Sequence, residues 1–352
     1  MLSGGGEHVS EAVGIAVVGT GDWGANLVRN FANAKGGRLS LLCDSDPQRL
    51  ARAGAQAPEA RRVADAREVA ASDVQAVVIS ASAVSHYPLA KMMLEAGKDA
   101  YVEKPLTLSV EHAEDLVRLA RQKGRILMVG HLLIHHPAVS YLKRLVDEGE
   151  LGEIHYLYTQ RVNLGRVRRD ENALWSFAPH DISVILHLLG DEPLDVAARG
   201  SAFLQEKVED VAFLNLRFPR GRMANVHVSW LDPHKLRRCT VVGSKKMAVF
   251  DDMEASEKLR IYDKGVDRAG EVVAYGDVLS VRSGDILIPK LSLQEPLKLE
   301  CQHFIECVRE RRTPLTDGEA GLRVVRVLAA AQSSLEQGGA PVAIAKARQE
   351  VA

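Results

Sequence analysis

The sequence has no long hydrophobic run, little cysteine and almost no net charge. Its 352 residues carry 45 basic and 46 acidic side chains, for a formal charge of −1. That balance offers nothing to attract nucleic acid or an anionic membrane. No apolar stretch approaches the ~20 residues that span a bilayer. The opening Met1-Leu-Ser-Gly-Gly-Gly has neither the basic start nor the apolar core of a secretory signal, and reads as a tail. The cysteines Cys43, Cys239, Cys301 and Cys307 show no disulfide or zinc spacing, which fits a reducing, cytoplasmic setting. Aromatic residues are scarce at 5%, yet hydrophobic residues reach 46%, enough for two cores at this length.

What is present is a rhythm. From Val13, strand-like runs (VGIAVVG, RLSLLCD, VQAVVISA, KDAYVEK, RILMVGH) alternate with helical ones (ANLVRNFANA, PQRLARAGAQA, HYPLAKMMLEAG, SVEHAEDLVRLARQKG). β-Branched apolar runs separated by helices predict a doubly wound parallel sheet. After Gly130 the period changes. EIHYLYTQRV alternates at period two, and VAFLNLRF, RMANVHVSW, CTVVGS and KMAVFDD read as strands joined by the hairpin turns FPRGR and GSKK. The expected fold is α/β. A Rossmann-type parallel sheet occupies residues 12–130. An α+β domain with a largely antiparallel open sheet occupies 131–352, its late helices able to pack back on the first.

VVGTGDWGANL places Gly19, Gly21 and Gly24 in G-x-G-x-x-G spacing between a strand and a helix. Gly19 suits the tight turn, Gly21 the approach of a pyrophosphate, and Gly24 close helix–strand packing. The pyrophosphate would sit on the helix N-terminus. Asp22 and Trp23 fill the variable positions, where Trp23 either covers a cofactor or packs. Asp44 ends the second strand about 20 residues after Gly24. A carboxylate there accepts from the ribose and repels a 2′-phosphate, which favours NAD over NADP. As part of DSDP it is also good turn chemistry.

In open α/β sheets ligands bind at the carboxyl ends of the strands. The segment YVEKPL ends such a strand in Lys104. With the glycine loop, Asp44, HYPLAKMMLEAGKDAYVEKPL and the antiparallel second half, the chain resembles the Gfo/Idh/MocA oxidoreductases over nearly its whole length. The resemblance implies that Lys104 bonds the reacting hydroxyl and that the peptide before Pro105 is cis. It also implies that Ser80, Ser82, His86 and Glu103 line the cofactor.

LWSFAPHDISVILHLLG reads as a helix starting near Pro179, a first-turn residue. That start puts His180 and Asp181 at the positive helix end, which keeps an imidazole neutral and able to accept a proton. The resemblance assigns His180 that role, with Lys104 as its catalytic partner. Ser176 stands where the family often has an acid, which puts an Asp-Lys-His triad in doubt. His131, His135 and His136 invite a metal reading, but no carboxylate or cysteine stands at ligand spacing and no metal is expected. The resemblance places His131 in the substrate pocket. Arg161, Arg166, Arg168 and Arg169 form either a solvated loop or an anion clamp for a nucleotide-linked sugar. NLGRVR and ENALWSFAPHDIS resemble the UDP-N-acetylglucosamine (or uronic acid) 3-dehydrogenase branch, which adds Trp175 and Asp181 to the substrate-facing residues. The alternatives are a dehydrogenase of a free sugar or inositol, and a non-catalytic NAD-binding sensor. The family also implies a homodimer or homotetramer built on the second domain's sheet.

Overall fold

The computed structural model describes residues 12–344 except 166, 168–170, 269–278 and 293. They form two compact units, and the chain changes unit more than once. The first unit takes residues up to Gly130 together with Glu295–Leu322, and the second takes His131–Gln294 and the chain from Arg323 on.

In the first unit, strands and helices alternate in chain order. They are β1 (Val13–Val18), α1 (Gly24–Ala32), β2 (Gly37–Cys43), α2 (Pro47–Gln56), β3 (Arg61–Val63), α3 (Ala66–Ala70), β4 (Ala76–Ile79), α4 (Ala83–Glu95), β5 (Asp99–Glu103), α5 (Val110–Lys123) and β6 (Leu127–Gly130). The strands pair in the order β3-β2-β1-β4-β5-β6, all parallel. Every residue of β1, β4 and β5 is buried, as expected when helices cover both faces of a sheet. The strand order reverses between β1 and β4, which opens a crevice at their carboxyl ends.

The second unit contains α6 (Pro137–Asp147), β7 (Ile154–Val162), α7 (Ala173–Leu189), β8 (Asp195–Ser201), β9 (Val211–Arg217), β10 (Met223–Ser229), β11 (Leu236–Gly243), β12 (Met247–Asp251), β13 (Leu259–Arg268) and β14 (Leu279–Leu287). Its nine-stranded sheet runs β14-β13-β12-β11-β7-β10-β9-β8 and closes with the short β15 (Val342–Ala343). It is antiparallel except where β10 lies parallel to β7. Along β9 and β10 buried residues alternate with open ones, so one face packs on helices and the other does not.

The second domain is therefore not a continuous 131–352. Helix α8 (Pro296–Glu310) belongs to the first unit, and α9 (Gly318–Glu336) runs from one unit into the other. The reason is packing: Phe304 of α8 sets its ring edge-on to Phe31 and Tyr101, and all three are fully buried.

Candidate active site

The glycine loop is built for close approach. Gly19 has φ +91°, and a side chain there would strike the Ala81 backbone within 2.6 Å. A side chain on Gly24 would run into the Gly19 carbonyl and lie 2.8 Å from Ser80 Oγ. Gly21 differs, since a Cβ there would meet only Arg49, at 3.8 Å. Two glycines thus close the turn and the third leaves backbone open to a ligand. Helix α1 begins at Gly24 with no side-chain cap from Trp23 and no acid in its first turn, which suits an anion there. These residues fit a dinucleotide pyrophosphate.

Asp44 is oriented by its neighbours. Oδ2 accepts from the Thr20 N–H at 2.7 Å and the Thr20 hydroxyl at 3.0 Å, while Oδ1 accepts from the Asp46 N–H at 2.9 Å. Oδ1 keeps a lone pair for a ribose hydroxyl. The turn reading and the ribose reading of Asp44 are compatible. Ser80 Oγ donates to the Gly19 carbonyl at 2.6 Å and fastens the end of β4 to the loop. Ser82 is exposed beside the same loop, its hydroxyl 3.2 Å from that of Ser85. Asp22 is exposed on the loop itself.

Two residues expected to line the cofactor, His86 and Glu103, are buried. His86 is 1% exposed, and its ring nitrogens lie 2.7 Å from the Pro105 carbonyl and 3.2 Å from the Ala81 carbonyl. It ties the loop after β4 to the turn after β5, and burial lowers its pKa. Glu103 is buried and held by three donors. Trp23 Nε1 reaches Oε1 at 2.6 Å, the Tyr101 hydroxyl reaches the same oxygen at 3.2 Å, and the Lys104 N–H reaches Oε2 at 3.2 Å. Burial raises the Glu103 pKa, and the Trp23 bond and the Lys104 charge pull it back. Trp23 thus stays 42% exposed while anchored through its indole N–H. Lys104 follows at the carboxyl edge, half-buried, and the peptide to Pro105 is cis, as the resemblance implied.

In the second unit the expected helix start is wrong. Helix α7 begins at Ala173, capped by Asn172, whose Oδ1 accepts from the Trp175 N–H at 3.1 Å. Pro179 lies inside the helix, so only the bond to the Trp175 carbonyl is forgone. His180 and Asp181 consequently sit well past the positive helix end, and the dipole argument for a neutral His180 does not hold. His180 is half-buried, and its carbonyl accepts from Ser183 Oγ at 2.8 Å. Ser176 is buried in the same helix.

Asp181 and Arg161, both expected to face the substrate, pair with each other. Asp181 Oδ2 accepts from Arg161 Nε at 2.7 Å and Oδ1 from Arg161 Nη2 at 3.3 Å, with the side chains 5% and 12% exposed. Burial raises the Asp181 pKa and Arg161 opposes it. The guanidinium spends its Nε and Nη2 on Asp181. Arg166, Arg168 and Arg169 lie outside the described residues. Trp175 packs partly buried against the second core. His131 is 1% exposed at the start of a short 3₁₀ turn. His136 serves its own helix, where its Nδ1 accepts from the Ala138 N–H at 3.0 Å and caps α6.

Sequence reasoning did not single out Thr20, Tyr101, Gly130 or Glu300. A side chain on Gly130 would meet the Tyr101 hydroxyl at 2.7 Å and Glu103 Cδ at 3.0 Å, so its bareness makes room for that pair. The readable signal for Glu300 is a carboxylate on the apolar stripe Leu297, Cys301, Phe304, Ile305 and Val308.

Comparison with known proteins agrees with this geometry. A model described as an oxidoreductase family with an NAD-binding Rossmann fold matches residues 13–131, and one for the GFO/IDH/MocA C-terminal domain matches residues 139–249. The chain is 28% identical over 308 residues to UDP-N-acetylglucosamine 3-dehydrogenase of Acidithiobacillus ferrooxidans, covering 87% of this chain and 93% of that protein. A solved structure of that enzyme superposes with a TM-score of 0.78 at 25% identity, covering 92% of this chain and 98% of the other. Identity to scyllo-inositol 2-dehydrogenase (NAD(+)) of Bacillus subtilis is 27% over 340 residues, 90% of this chain and 93% of that one. The chain belongs to the Gfo/Idh/MocA family and is an NAD-binding oxidoreductase.

Proposed function

We propose that the chain oxidises a sugar hydroxyl to a ketone, and that its substrate is the 3-hydroxyl of a nucleotide sugar of the UDP-N-acetylglucosamine type. The observation behind the chemistry is Lys104 at the carboxyl edge of β5, one strand from the switch point where the glycine loop opens. NAD, when bound, supplies the hydride acceptor. The chain's own residues do the rest. The Lys104 ammonium donates to the reacting hydroxyl and steadies it, and the His180 imidazole accepts the proton. The nucleotide-sugar assignment rests on the similarity to the 3-dehydrogenase across 87% of the chain.

A second reading, oxidation of an unlinked polyol, draws on the similarity to the inositol enzyme and on Arg161 being spent on Asp181. Nicotinamide reduction separates them, measured with UDP-N-acetylglucosamine, its uronic acid, free N-acetylglucosamine and inositol, each with and without 2-oxoglutarate. Turnover confined to the nucleotide sugars is the expected result. Turnover only with a free sugar or inositol rejects the nucleotide-sugar assignment. None with any of them favours an NAD-binding sensor.

The proposal extends to self-association through the open sheet face. Tyr156 faces Met223 across β7 and β10, Tyr158 faces Asn225, and His227 stacks on Phe213 at 4.3 Å. Tyr156, Tyr158, Phe213 and Met223 are all exposed, an apolar patch of the kind that pairs with a second copy. Light scattering is expected to show a dimer or tetramer, and Tyr158→Glu with Phe213→Asp is expected to shift it to monomer. A monomeric parent chain would discard this surface. A reducing, cytoplasmic compartment suits the four buried free cysteines.

A further inference from the structure

Trp23 stands in the glycine loop between β1 and α1, but the one polar atom of its side chain is bonded elsewhere. The indole N–H donates to Glu103 Oε1 at 2.6 Å, on the last residue of β5. In the sheet β5 is two strands from β1, with β4 between them. Neighbouring strands lie about 4.8 Å apart. The indole therefore reaches across the carboxyl end of β4, in the crevice where the strand order reverses.

Its acceptor is held in place. Glu103 is buried, with Oε1 also 3.2 Å from the Tyr101 hydroxyl and Oε2 3.2 Å from the Lys104 N–H. Gly130 of β6 stands against it, where a Cβ would lie 3.0 Å from the same Oε1. Trp23 itself stays 42% exposed. Its N–H is spent on Glu103, so what it offers the crevice is apolar ring.

The direction of the side chain selects one half of the dinucleotide. Asp44, suited to the adenosine ribose, follows β2 on one side of β1. The indole runs to the other side, from the phosphate loop toward the strand that ends next to Lys104.

We infer that the Trp23 ring is a preset wall for the nicotinamide half of the cofactor, and that Glu103 is the positioning residue that presets it. Glu103 acts through the indole and needs no contact with the dinucleotide. The two readings of Trp23, covering the cofactor and packing, become one: the N–H edge is anchored so that the ring can cover. The wall and Lys104 then share one support, the end of β5.

Calorimetry on the full chain with NAD and with ADP decides it. ADP carries the adenosine and the diphosphate but no nicotinamide. Trp23→Phe keeps a ring and removes the N–H, and Glu103→Leu removes the acceptor. Each is expected to weaken NAD about fivefold, the scale of ordering one loosened side chain on binding, and to weaken ADP less than about twofold. The double variant is expected to lose the same factor of about five rather than about 25, because both single changes break one bond. Glu103→Gln, whose amide oxygen still accepts from the indole, is expected to recover most of the NAD affinity lost in Glu103→Leu.

Parent-like NAD affinity in Trp23→Phe overturns the inference. Equal losses for NAD and ADP also overturn it, since the indole would then serve the phosphate loop or the fold alone. Losses that multiply in the double variant overturn the role of Glu103. If Glu103→Leu does not fold, Trp23→Phe on the two ligands and Glu103→Gln still decide, and NAD binding weaker in Glu103→Gln than in Trp23→Phe counts against the anchor. The inference rests on NAD binding by this chain and needs no sugar substrate. Absence of turnover on every sugar removes the dehydrogenase proposal and leaves these expected affinities unchanged.

Discussion

Replacing Lys104 with alanine is expected to leave NAD binding unchanged and to lower turnover about 10³-fold, within the range for a positioned acid–base group. The two effects separate because Lys104 plays two parts. Its backbone N–H belongs to the Glu103 arrangement, 3.2 Å from Oε2, and any residue supplies that. The carboxylate stays held by Trp23 and Tyr101, so the loop geometry persists. Its ammonium is the part alanine removes, at the strand edge where the crevice opens. Lys104→Arg is not expected to rescue turnover, because the guanidinium is a wide planar fork where a compact point charge is needed. Steady-state rates on the best substrate of the panel, with NAD affinity from calorimetry, check this. Parent-like turnover would take Lys104 out of the chemistry. A matching loss of NAD affinity would make its role structural.

The first unit was legible because its signals are local. The glycine spacing, Asp44 and the lysine ending β5 lie within short segments whose strand and helix periods are plain, and the structure places each at the expected edge. Helix α7 shows how a louder local signal misleads. Pro179 resembles a first-turn residue, yet Asn172 supplies the side-chain cap, and one missing N–H does not stop a helix with a largely apolar buried face. What the sequence did not disclose depends on contacts between distant segments. Arg161 meets Asp181 only because α7 packs on the sheet that holds β7. Phe304 meets Tyr101 only because α8 returns the chain to the first unit. His86 and Glu103 lie in the motifs that carry the resemblance, and those motifs fixed their positions in the fold but not the direction of their side chains. The parallel pairing of β10 with β7 escapes period-two reasoning altogether, because alternation looks the same in either direction.

The Arg161–Asp181 pair gives the largest expected effect on stability. Removing one partner leaves the other charged and buried, and that costs about 3–5 kcal/mol. Asp181→Ala and Arg161→Ala are each expected to lose stability on that scale in denaturant titrations. Removing both is a different case. With Arg161→Met and Asp181→Leu together no uncompensated charge remains, and apolar pairs of similar volume often match or exceed the ion pair they replace. The double variant is therefore expected to recover most of the loss, which a double-mutant cycle reads as strong coupling. The clamp reading predicts another pattern. An arginine reserved for a substrate phosphate would raise KM in Arg161→Ala, leave unfolding untouched and show no coupling to Asp181. Burial supports the pair, since the two side chains are 12% and 5% exposed and the carboxylate takes two bonds from one guanidinium. If the single variants unfold at the parent midpoint while KM for a nucleotide sugar climbs, the ion pair is incidental and Arg161 belongs to the substrate. If stability falls and the double variant restores it, specificity for an anionic substrate must come from residues other than Arg161.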